Sequence, residues 1–349
     1  MKKESILITG SLGSFGRILT KEIISTGYDI NLLVRGKSDL PALTRTTNVF
    51  GGALPNTVRV FPCELKEKNL GLSKKDYRFL AEETTHVLHA AASTRFDLTI
   101  SEARNNNVET VKNILAFSEN CGLLKKLGFI STAFVAGKRK GNIYESELEH
   151  NEGFLNTYEE SKYEAEKIIQ CNMEKLPIII FRPSIITTAF NKHENNPMNA
   201  VIFALKLIKR GMLPILPGEE TNKLDIVPAN TAAKKISKLF FKEANLHSVY
   251  HIVSSSDSPT IRDLLTMASK TSNQKIQIKF CGDITSFKKE VEKAAKFFPE
   301  MIPVYQKTAG FIPELAFPKL YDDSNVSQEL TSGNNHQKNT LEAIAETIL

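Results

Sequence analysis

The sequence predicts an α/β protein: a doubly wound parallel sheet with a smaller C-terminal portion. Short runs rich in Ile, Val and Leu recur through the first half of the chain, and amphipathic helical patterns lie between several of them. Strands that read as near-continuous apolar runs are buried on both faces, which is what helical crossovers produce. Past Arg182 the alternation loosens, and this sets the C-terminal portion apart.

The first strand is expected at Ser5–Thr9, with a helical pattern over Phe15–Thr26. Further strands are expected at Asp29–Val34, Val58–Pro62 and His86–His89. The pattern Ile100–Cys121 has the apolar spacing of a helix, Lys126–Ser131 that of a strand, Thr157–Glu174 that of a helix and Pro177–Arg182 that of a strand. Beyond these, a helix is expected around Met198–Arg210. It leads into the Pro/Gly-punctuated "GMLPILPGEE" and then "KLDIVPANTAAKKISKLFF". The polar stretch "TSGNNHQKN" reads as a loop or linker, and no internal repeat is evident.

Composition narrows the class. A chain of 349 residues can bury one large or two modest cores. The hydrophobic share of 41% and charged share of 24% are ordinary for a globular protein. The longest apolar stretch, Leu176–Ile186, is broken by Pro177, Arg182 and Pro183, so no membrane span is expected. Met-Lys-Lys-Glu-Ser runs straight into the first strand without a secretory pattern. Cys63, Cys121, Cys171 and Cys281 lie far apart, with no metal-ligand spacing; reduced thiols and a cytoplasmic location are expected. A net charge of +6 suits a phosphate-rich small molecule or an acidic protein partner and argues little for nucleic acid.

The stretch "ILITGSLGSFGRILTKEI" joins a strand to a helix through three glycines at steps of three. In such a turn the first glycine allows the sharp bend, the second lets backbone approach a pyrophosphate, and the third lets helix and strand pack closely. The N–H groups and partial positive charge of the helix start then face the phosphate. Gly10, Leu12, Gly13, Ser14, Phe15 and Gly16 are therefore the candidate cradle of a dinucleotide, in a Rossmann-type unit. Packing alone is the other reading of these glycines. Gly16 is followed by Arg-Ile rather than Lys-Ser/Thr, which argues against a nucleotide triphosphate loop.

An acidic residue at the end of the second strand would hold the ribose hydroxyls of NAD, whereas an arginine accommodates a 2′-phosphate. Here "NLLVRGKS" places Arg35 and Lys37, so NADPH is expected in preference to NADH. Glu64 and Leu65 follow the third strand, where an acceptor could meet the adenine amino group. In "HAAAS", the small Ala90, Ala91 and Ala92 would let a flat cofactor lie against backbone; tight core packing is the equal alternative. In "NTYEESKYEAEKI", Tyr158 and Lys162 stand four apart and share a helix face. A free phenol has a pKa near ~10, and a nearby ammonium lowers it, so Tyr158 could exchange a proton while a hydride moves. The same spacing also fits an exposed helix pair. Ser131-Thr132 close the fifth strand at the edge where doubly wound sheets bind ligands, which favours the chemical reading.

The glycine motif, "HAAAS", "STAFVAG" and Y-x-x-x-K in this order resemble the extended short-chain dehydrogenase/reductase superfamily. "NLGLS", "AASTRFD", "NNVETVKNIL", "FRPSII", "LDIVPANTAAKKI" and "YDDSNV" narrow the resemblance to the fatty acyl-CoA reductase and thioester reductase (male-sterility type) group, well over Ile6–Ile252 and poorly beyond. The resemblance implies that Thr132, with Ser131 as the other claimant, hydrogen-bonds the substrate carbonyl. It implies that Tyr158 is the acid–base residue, that Lys162 binds the nicotinamide ribose, and that Asn107 is a positioning residue. Pro183 and Ser184 would lie against the nicotinamide. The implied reaction is hydride transfer from NADPH to an acyl-CoA or carrier-bound acyl thioester, giving an aldehyde or alcohol. Asn230 stands where relatives commonly have Asp. No adenylation or carrier domain is evident, so the thioester would arrive preformed.

Two alternatives use the same residues: a nucleotide-sugar epimerase or dehydratase, and a non-catalytic NADP(H)-binding regulatory protein. The expected division is 1–185 for NADP binding, with 223–254 returning to it, and 186–349 for substrate. In the latter, Val201, Ile202, Ala204, Leu205 and Ile208 share helical spacing and could form an acyl-chain wall, with Lys206, Lys209 and Arg210 near a phosphate. A helix simply packed on its core is the competing account.

Overall fold

The apolar runs become a parallel sheet because each can bury both faces. In the computed structural model, which describes residues 4–187, 200–272, 276–330, 341, 342 and 344, seven strands form this sheet. They are β1 (Ser5–Thr9), β2 (Asp29–Arg35), β3 (Val58–Cys63), β4 (His86–His89), β5 (Lys126–Ile130), β6 (Ile178–Pro183) and β7 (Val249–Ile252). Their order is β7-β6-β5-β4-β1-β2-β3, and every neighbouring pair is parallel. β7, which the strand reading of the sequence lacks, adds an outer edge through pairs such as Tyr250 with Phe181.

The helices are α1 (Gly16–Ile24), α2 (Asp39–Phe50), α3 (Lys74–Glu83), α4 (Ile100–Glu119), α5 (Thr157–Gln170), α6 (Ala200–Lys209), α7 (Ala229–Phe240), α8 (Ile261–Ser272), α9 (Ile284–Ala295), α10 (Met301–Thr308) and α11 (Ser324–Glu329). Alternation along the strands feeds two cores. Ile6, Ile8, Ile30, Leu32 and Phe181 face Leu19, Ile23, Ile236 and Phe240 of α1 and α7. Leu7, Leu33, Val87, Ile178 and Ile180 face Val111, Ile114, Ala165 and Ile169 of α4 and α5. Each fully buried aliphatic side chain contributes roughly 1.5–3 kcal/mol relative to exposure.

Residues beyond β6 build a second body of side chains around two smaller cores, one of them joining Ala204, Ile208, Leu216, Phe287, Tyr305 and Ile312. Short parallel pairs tie it together: Ile185–Thr187 with Ile226–Pro228, and Ile215–Leu216 with Lys279–Phe280. Lys319–Tyr321 pairs with Gly141–Ile143, so the late chain returns to the loop after β5. Met198, at the start of the expected Met198–Arg210 helix, and the "TSGNNHQKN" stretch lie outside the described residues. Among the described residues no helix is long and apolar enough to cross a membrane, and the four cysteines form no disulfide.

Candidate active site

The strand order reverses between β1 and β4, and the carboxyl ends of these strands open a crevice at that switch point. Gly10 leaves β1 at φ +75, and a Cβ there would meet the Ala90 carbonyl carbon at 2.6 Å. A Cβ on Gly16 would stand 1.9 Å from the Gly10 oxygen, so α1 can start this close to β1 only without a side chain. Gly13 N–H closes the turn on the Gly10 carbonyl at 3.0 Å. Phe15 is the N-cap of α1; the Arg17 N–H donates back to the Gly13 carbonyl and the Ile18 N–H to the Phe15 carbonyl, each at 3.0 Å, so the glycine turn folds directly onto the helix start.

Arg35 ends β2 and is exposed, as is Lys37. Arg45 of α2 joins them: its Nη1 donates to the Arg35 carbonyl at 2.6 Å, making three cations at one corner. Arg45 carries no motif, and only the fold of α2 brings it there. Glu64 is half-buried at the end of β3, its N–H bound to the Leu70 carbonyl, while the Leu65 carbonyl accepts from Asn113 of α4 at 2.8 Å. Thr9 Oγ1 accepts from the Ala91 N–H and shares a second hydrogen bond with His89 Nδ1 at 2.7 Å. This pair, which the sequence reading did not single out, fixes the strand end that carries Ala90–Ala92. Burial, reinforced by the Lys162 charge, pushes His89 down to about 3, so its imidazole is neutral.

The chemistry-bearing side chains converge where β5, α5 and β6 meet. Asn156 caps α5 by accepting from Glu159 N–H at 2.9 Å, which sets Tyr158 in the first turn and Lys162 one turn further. Lys162 is buried; its Nζ donates to the Ile130 carbonyl at 2.8 Å and lies 4.4 Å from the Phe129 ring centre. Burial pushes this ammonium down to about 7, with the Glu166 carboxylate pulling the other way. Burial pushes the Tyr158 phenol up to about 12, against a hydrogen bond from Thr132. The lowering of Tyr158 by Lys162 expected from their spacing is therefore not what this geometry gives. The lysine turns to β5, and the phenol stays protonated at neutral pH.

Ser131 and Thr132 diverge. Ser131 Oγ donates to Glu166, which also holds Arg182 in a fully buried ion pair at 2.6 Å. Thr132 Oγ1 stays at the site, 3.4 Å from the Pro183 carbonyl and partnered with Tyr158. Asn107 is buried but does not line the cavity. Its Oδ1 accepts from Ser93 N–H at 2.7 Å and its Nδ2 donates to Ser161 Oγ at 2.9 Å, clamping the segment after β4 to α5. Ser184 donates to Asp225 at 2.5 Å, and Asp225 also accepts from Ser255 N–H and Ser258 Oγ. Asn230, at the start of α7, is exposed.

One cavity of about 530 Å³ unites these features. It runs from Ser14 and Phe15 past Ala90 and Ala92 to Thr132, Tyr158, Lys162, Pro183 and Ser184. It continues against Val201, Ala204, Leu205 and Ile208 of α6, Leu264 of α8, and Phe311 and Leu315. Ile202, expected on the same wall, packs instead into the core between α6 and α8. Gly10, Leu12, Gly13, Gly16, Arg35, Lys37, Glu64, Leu65 and Ala91 lie outside this cavity's lining.

The family described as Male sterility protein, an NAD-binding family, matches residues 8–236. "Fatty acyl-CoA reductase wat" of Drosophila melanogaster is 26% identical over 270 residues, covering 66% of this chain and 52% of that protein. The chain spans about half the length of the curated relatives it matches. The terminal R domain from the myxalamid PKS-NRPS biosynthetic pathway superposes with a TM-score of 0.78 at 22% identity, over 100% of this chain and 91% of that one. UDP-glucuronic acid 4-epimerase from Bacillus cereus, solved with NAD, reaches 0.69 at 18% identity, over 99% and 96%. These two likenesses speak for the fold alone. The family match covers well over half of the chain and includes the glycine turn, Thr132, Tyr158 and Lys162, so this protein belongs to the Male sterility family of NAD-binding domains.

Proposed function

We propose that the protein is an NADPH-dependent reductase of acyl thioesters, acyl-CoA or carrier-bound, and that residues 186–349 supply most of its acyl site around a cofactor unit of 1–185 and 223–254. One observation carries this reading: the cavity that holds Thr132, Tyr158 and Lys162 continues without a break into an aliphatic chamber. An acyl chain suits that chamber. A sugar nucleotide would need hydroxyl-binding groups along the α6 wall, where Val201, Ala204, Leu205 and Ile208 stand instead.

The residues present fit a dinucleotide. The turn from Gly10 to Gly16 carries no side chain at Gly10, Gly13 or Gly16, which suits a pyrophosphate at the start of α1. Arg35, Lys37 and Arg45 offer three cations to a 2′-phosphate, and Glu64 an acceptor beside the adenine. The bound dinucleotide supplies the hydride. Tyr158, protonated at neutral pH, hands its proton to the carbonyl oxygen, and Thr132 donates a hydrogen bond to the same oxygen. Donors aimed at developing charge in a water-poor cleft are worth far more than in water. Lys162, in the same wall, would hold the ribose side of the site. Collapse of the hemithioacetal expels the thiol. An aldehyde is the first product, and a second reduction would give the alcohol.

The test is loss of NADPH absorbance with acyl-CoA substrates of graded length. Sugar-nucleotide conversion without net cofactor use would replace this reading with the epimerase, and cofactor binding with no turnover of either would replace it with a regulatory role.

A further inference from the structure

Two buried carboxyl groups line the same cavity as Tyr158, and the reduction step uses neither. Glu159 is 3% exposed and accepts from Leu155 N–H and Asn156 Nδ2, both at 2.9 Å. Glu314 accepts from Lys319 Nζ at 2.5 Å through one oxygen. Its other oxygen, Oε2, is buried and has no hydrogen-bond partner among the described residues. A buried acceptor left in this state costs about 1–3 kcal/mol, so it calls for an explanation.

The explanation is in the neighbouring space. Glu314 lines the main cavity and also a second, smaller cavity of about 20 Å³ on its far side. That volume has room for a single water, which needs two to four polar partners. The small cavity offers them. Tyr321 is 3% exposed, and its hydroxyl is also buried without a partner; Asp225 and Lys319 line the same space. Asn222 and Lys223 line it as well, and Lys223 is exposed to solvent. Glu314 is thus the one titratable side chain common to both linings.

We propose that Glu314 is a second acid of this site: it protonates the sulfur that leaves the reduced thioester, and is reprotonated through a water held against Tyr321. The proposal rests on the thioester-reductase reading. In the hemithioacetal the C–S bond breaks and its electron pair goes to sulfur, which takes the Glu314 proton and departs as a thiol. The hydroxyl proton of the same carbon returns to the Tyr158 oxygen as the C=O bond re-forms. Glu314 then recovers one proton from solvent through the small cavity. Over the cycle the thioester gains a hydride and one solvent proton, and yields aldehyde and thiol. Burial favours the protonated form of both carboxyls: it raises Glu314 against the pull of Lys319 and lifts Glu159 to about 8.

The test compares two acyl thioesters of equal chain length, one with an alkyl and one with an aryl thiol as leaving group, in single-turnover reactions of the full chain. NADPH oxidation and free thiol are followed separately. With the alkyl thioester, Glu314→Gln should leave NADPH oxidation near the unmutated rate and slow thiol release by about 10²-fold, the low end for loss of a general acid. An aryl thiolate leaves without a proton, so that substrate should restore thiol release in Glu314→Gln. Tyr321→Phe keeps the Glu314–Lys319 pair and should slow alkyl thiol release in the same selective way, by a smaller factor, should Glu314→Gln not fold. Equal slowing of both steps, or of both leaving groups, overturns the proposal and leaves the reductase intact. If the unmutated protein oxidises NADPH with neither thioester, the functional reading falls and this proposal with it.

Discussion

Ser131 and Thr132 are chain neighbours bearing the same hydroxyl group, yet their surroundings give them different work. Glu166 and Arg182 reach Ser131 from α5 and β6, elements 35 and 51 residues away, and commit it to a buried network. No motif around "STAFVAG" carries that information, so the sequence left both as claimants. Tyr158 was legible because its spacing to Lys162 survives in any helix. Its environment was not, since burial depends on distant segments of the cavity wall, such as the one carrying Phe96, whose ring centre stands 5.9 Å from that of Tyr158. We predict that Tyr158→Phe lowers turnover by about 10²- to 10⁴-fold, the range for a general acid, while NADPH affinity changes little. Near-normal turnover in that variant would remove the proposed role. At the other end of the site, Arg35 and Lys37 could be read from the end of β2, but Arg45 could not. Hydrogen bonds to charged groups are worth about 1.5–3 kcal/mol, so Arg35→Asp should cut the preference for NADPH over NADH by roughly tenfold or more. Titration of both cofactors checks this, and equal affinities in the unmutated protein would contradict it.

Elements that bury a continuous face were the ones the sequence disclosed. β1 to β6 and helices α1, α4 and α5 fall within a few residues of their expected bounds, because each carries the apolar period of its type. α2 escaped because only Ala42 and Thr46 of its twelve residues are buried, and a Pro and three Thr obscure its pattern. The pair Ile215–Leu216 with Lys279–Phe280 has two residues a strand, too few for any period to appear. α6 was legible as an apolar helix, but its use as a cavity wall depends on α8 and on Phe311 and Leu315 closing the far side. Ala204 is 8% exposed on that wall. We therefore predict that Ala204→Trp shortens the longest accepted acyl chain more than it slows the best short substrate. A panel of acyl-CoA lengths reads this out, and equal slowing at every length would make α6 structural only.

At the scale of the whole molecule, the late chain is stitched back to the sheet by buried polar groups rather than by one large apolar interface. Glu145, after β5, accepts from His251 N–H of β7 at 2.7 Å and from Asn325 N–H of α11 at 2.8 Å. Asp225 ties Ser184 at the end of β6 to the segment before α8. The Lys319–Tyr321 strand returns beside Gly141–Ile143. These ties bring Glu314 and Leu315 into the lining of the cavity that holds Tyr158, so the reactive edge of the sheet and the aliphatic chamber form one space. The central claim is that this space brings an acyl carbonyl to the hydride donor. It is tested most directly by supplying NADPH deuterated at the nicotinamide C4 with an acyl-CoA and analysing the product by mass spectrometry. The account predicts deuterium on the former carbonyl carbon of an aldehyde or alcohol, released together with free thiol. Thiol release with an unlabelled carboxylic acid, or cofactor turnover with no label on that carbon, would contradict it.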